Sequence, residues 1–71
     1  MSYRTFTNNH NVTLATRLRE YIIVMLRQPD LKDPILRAKF VEEMDTTITG
    51  LSKAEVIYSE EAVELRQTLY A

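Results

Sequence analysis

The 71-residue chain holds one His, no Cys, ten Asp or Glu and nine Lys or Arg, and these set the chemistry open to it. His10 is the single imidazole, and it sits in a polar run, Thr7-Asn8-Asn9-His10-Asn11, with no nucleophile at a spacing that would make a triad. Without Cys, neither a disulfide scaffold nor a Cys-based zinc site can form. There is no His-Glu-x-x-His pair, no calcium-binding loop and no glycine-rich phosphate loop. Glu42, Glu43 and Asp45 are close in sequence, as paired carboxylates in acid–base catalysis can be, but the same pattern describes a solvated helix face. The sequence therefore reads as non-catalytic, with no catalytic residue, metal ligand or cofactor assigned.

Two sets of residues remain as binding candidates. Arg4, His10, Arg17 and Arg19, with Tyr21 for stacking, are the types that hold a small anion such as a nucleotide. Arginine pairs with phosphate or carboxylate, and aromatic rings stack on bases. The second set is apolar. Val56, Val63 and Tyr70 are seven residues apart and form a stripe opposite Ala54, Tyr58, Ala62, Leu65 and Leu69. Ile23 and Val24 lie outside the main apolar stripe of their own segment. A helix with two apolar stripes calls for two covering surfaces. These five residues are the expected contacts to a partner protein.

The elements that carry these residues are helical. One Gly and two Pro are too few for the many turns of an all-β domain. The expected fold is all-α: a small bundle or hairpin of two long helices plus a third at the C-terminal end, with Ser59-Glu60-Glu61 as the place where that third helix can break. Residues 1–12 read as a polar N-terminal segment without helical period, and residues 13–71 as one helical domain. Leu14, Leu18, Tyr21, Ile22 and Met25 predict a helix from Thr13 to Gln28, ended by Pro29. Asp33-Pro34 predicts the next helix start, with Asp as cap and Pro in the first turn. Leu36, Phe40, Met44 and Ile48 then mark a core stripe running to Thr49, with Gly50 as the helix terminator. Ser52-Lys53-Ala54-Glu55 has the form of a capping box and predicts that helix three starts near Lys53.

Charge is divided along the chain. Residues 1–39 hold seven basic and three acidic side chains, and residues 40–71 hold two and seven. This favours the third helix folding back on the first, or copies pairing basic face to acidic face. It disfavours nucleic acid. The segment around Gly50 has the outline of a helix-turn-helix, but its second helix carries Glu55, Glu60, Glu61 and Glu64, which phosphate repels. No apolar run reaches the ~18 residues of a membrane span, and the N-terminus lacks a signal-peptide pattern, so a cytoplasmic protein is expected. A chain this short has little core to stabilise it. The sequence therefore points to a homo-oligomeric regulator or adaptor that binds another protein. An oligomeric binder of a small anionic ligand is the alternative, and a DNA-associated regulator the third.

Overall fold

The computed structural model describes the backbone of residues 3–71 and the side chains of residues 14–71. The fold is all-α, as expected. Helix α1 spans Tyr3–Leu26, a 3-10 turn spans Pro29–Lys32, α2 spans Pro34–Lys53 and α3 spans Ser59–Leu69. α3 packs against both longer helices.

α1 begins well before the expected start at Thr13, so the expected boundary at residue 12 falls inside a helix. No Pro or Gly lies between Tyr3 and Leu26 to interrupt it. Its C-terminal end comes two residues earlier than expected. Arg27 and Gln28 close tight turns onto the carbonyls of Val24 and Met25, at 3.2 and 3.0 Å. Gln28 itself is extended, as the residue before a proline should be.

α2 opens on the predicted cap: the Asp33 carboxylate accepts from the Ile35 N–H at 2.9 Å. The predicted end does not hold. α2 runs through Gly50 to Lys53. The hydroxyls of Thr46 and Thr47 donate to the carbonyls of Glu42 and Glu43, at 3.1 and 3.0 Å, so these poor helix formers are satisfied within the helix. Leu51, packed on the core, ties down the next turn. The helix ends in a Schellman motif. The Val56 N–H reaches the Leu51 carbonyl at 2.9 Å, the Glu55 N–H reaches that of Ser52 at 3.0 Å, and Glu55 is left-handed with φ 61°. Ser52 to Glu55 thus forms a helix end and not a capping box. α3 starts only at Ser59, the break point anticipated from Ser59-Glu60-Glu61. There the Glu61 carboxylate accepts from the Tyr58 N–H at 2.9 Å.

The core joins Ile22 of α1, Met44 and Ile48 of α2, Ile57 of the α2–α3 link, and Ala62, Leu65 and Leu69 of α3. Leu14, Leu18, Leu26, Phe40 and Val41 pack around it half-buried. Four residues of the expected apolar stripes are outside: Tyr21, Leu36, Ala54 and Tyr58 are all exposed. α3 is too short to cover the first turns of α2, so the apolar stripe there continues past its cover. Leu31, in the 3-10 turn, is buried instead.

Candidate functional site

Val63 and Tyr70 stand on one side of α3, 52% and 59% exposed, while Ala62, Leu65 and Leu69 on the other side are buried. Val56 is not on this helix. It lies in the α2–α3 link and is partly exposed, so the predicted stripe of three is one helical residue, the C-cap of α3 and a loop residue. The reason is the helix end at Lys53, which removes Ala54, Val56 and Tyr58 from the helical register. Of the second pair, Val24 is exposed and Ile23 is half-buried.

A polar cluster holds α3 against α2 on the same flank. The Arg66 Nε donates to Asp45 Oδ1 at 3.2 Å, and its Nη2 donates to the Thr49 hydroxyl at 2.6 Å. The Tyr70 hydroxyl donates to the other carboxylate oxygen of Asp45. The Tyr70 hydroxyl and then Arg66 hold the Asp45 carboxyl below its ordinary range, and the Asp45 acceptor in turn raises the Tyr70 phenol. Beside the cluster a cavity of about 490 Å³ is lined by Ala38, Val41, Asp45, Thr49 and Tyr70 among others. No spacing in the sequence signals this cluster. By its spacing Tyr70 reads as an apolar contact, and nothing in that spacing says which carboxylate Arg66 meets.

A larger groove, about 690 Å³, separates α1 from α3. Arg19 lines it from α1, facing Glu61 and Glu64 from α3. This agrees with a basic first helix folded against an acidic third one. It does not suit an anion, because two carboxylates share the groove with one guanidinium. Arg17 and Arg19, two residues apart, point to nearly opposite sides of α1, so they do not converge. Tyr21 lies on the Arg17 side. The side chains of Arg4 and His10 fall outside the described residues.

Among the described residues, no helix is long and apolar enough to cross a membrane. The fold and surface define a small three-helix protein with exposed apolar side chains. No family model, curated protein or solved structure matches the chain.

Proposed function

We propose that this protein is a small non-catalytic regulator or adaptor, which associates with copies of itself and docks on another protein through exposed apolar helix surface. The observation that carries this reading is the pair Val63 and Tyr70, more than half exposed on α3 and its C-cap, while Ala62, Leu65 and Leu69 of the same helix are buried in the core. The Asp45–Arg66 ion pair and the Tyr70–Asp45 hydrogen bond hold that flank in place. Fixing side chains before contact lowers the ordering cost of binding. Isolated exposed apolar residues are common on any protein surface; here each follows directly on a buried residue, Ala62 before Val63 and Leu69 before Tyr70.

The test compares the parent with the double variant Val56→Lys, Val63→Lys in cross-linked capture from the native host. A partner held by the parent and lost by the variant, with helical circular dichroism unchanged, supports the docking surface. If the variant keeps every partner and the parent's solution mass, the α3 flank is not where this protein acts.

A further inference from the structure

Beside their contact with α3, α1 and α2 carry a second apolar surface. The 3-10 link and the Tyr21–Phe40 contact, with ring centres 6.2 Å apart, make α1 and α2 an antiparallel hairpin. The two helices lean on α3 more than on each other. Arg17, Tyr21 and Val24 share one face of α1, and Leu36, Phe40 and Glu43 share one face of α2, both at spacings of four and three. Tyr21, Val24 and Leu36 are 49%, 54% and 45% exposed. With Tyr21 level with Phe40, Val24 is level with Leu36 and Arg17 with Glu43.

We propose that this face is covered by a second copy of the chain, related by a two-fold axis along the helices, so that α1 of each copy lies on α2 of the other. The proposal rests on the self-association named above and specifies its geometry. A two-fold interface must complement itself, and this axis achieves that by keeping every level in place. Tyr21 then meets Phe40 of the second copy, Val24 meets Leu36, and Arg17 meets Glu43. On the outer flanks Glu20 meets Lys39, again of opposite sign, and all four of these charged side chains are exposed. The other face-to-face arrangement, with the axis across the helices, stacks α1 on α1 and α2 on α2, so that Arg17 no longer meets Glu43 of the second copy. Within one copy Arg17 and Glu43 do not bridge; the ion pair found among the described residues is Arg66 with Asp45. Their charges are therefore open to a partner, and rim charges of this kind set register and orientation.

Sedimentation equilibrium of the full chain, run up to high micromolar concentration, tests this. The parent should dimerise and Val24→Lys should be monomeric with unchanged circular dichroism. Arg17→Glu and Glu43→Arg should each weaken the dimer, on the order of tenfold, and the two together should restore it. A double variant no tighter than either single one overturns the pairing. A dimer that ignores Val24→Lys but dissociates with Val63→Lys places the second copy on α3; it overturns this inference and leaves the functional proposal standing. A parent that is monomeric throughout overturns the inference together with the self-association in that proposal, and leaves partner docking to its own capture experiment.

Discussion

Asp45 accepts from two different side chains, one oxygen each, and the two donors sit four residues apart on α3. Its carboxyl is lowered, so the fold prefers the ionised form. The stability this contributes is present above the ordinary carboxylate range and is lost as pH falls through the lowered value. Tyr70 behaves in the opposite sense: its phenol is raised, so its contribution is present below the ordinary tyrosine range and is lost as pH rises through the raised value. The Tyr70 hydroxyl is the first cause of the Asp45 shift. Tyr70→Phe should therefore move the Asp45 midpoint up toward the ordinary range, as read from a carbon-detected NMR titration, while Arg66 keeps part of the shift. An unmoved midpoint would mean that the hydroxyl does not hold the carboxylate in solution. None of this was legible beforehand. A helical period shows which side chains share a face, but choosing Asp45 over Glu42 requires the angle at which α3 crosses α2. The Asp33 cap was legible, because donor and acceptor are two residues apart and need no tertiary information.

The second helix has its one glycine and its left-handed residue in different places. Gly50 lies inside α2, with open space around the position a Cβ would take. Glu55 lies after the helix, at the φ of 61° that glycine adopts without strain. The usual association of Gly with helix termini places the helix end at Gly50, and so misplaces the start of α3 as well. What decides the end is the packing of Leu51 and the burial of Ile57. These draw the chain on for one more turn and then reverse it at whatever residue stands there. Gly50→Ala removes backbone freedom from the unfolded chain and should stabilise by about 0.5–1 kcal/mol. Glu55→Gly relieves the left-handed strain and should stabilise by a similar ~1 kcal/mol, with its own unfolded-chain entropy working against part of that. Urea denaturation of both variants at low protein concentration measures this. A loss of stability in Gly50→Ala would show that α2 does not pass through residue 50 as a regular helix.

At the scale of the whole molecule, the spacing of apolar residues located the helices but not the limits of their cover. Met44, Ile48, Ala62, Leu65 and Leu69 are buried as their period implies. Leu36 continues the same spacing of four, but that spacing drifts about 40° per step round the helix, so Leu36 stands beyond the end of α3 and off to the side of its contact, and is exposed. Period is a property of one helix, whereas burial depends on the length of its neighbour. Two leucine truncations separate these cases. Leu69→Ala opens a void where α3 meets both other helices and should cost about 2–5 kcal/mol, a large part of what so small a domain has. In dilute solution Leu36→Ala should change stability by no more than ~0.5 kcal/mol, as for other surface positions. The two-fold pairing adds a second consequence. Association with the folded form alone raises the melting temperature with protein concentration, so the parent should melt later when concentrated. Leu36→Ala, which removes the contact to Val24 of the second copy, should flatten that dependence while leaving the dilute melting temperature in place. Calorimetry of both chains over a wide concentration range distinguishes the two roles. Equal concentration dependence in parent and variant would mean that Leu36 faces only water.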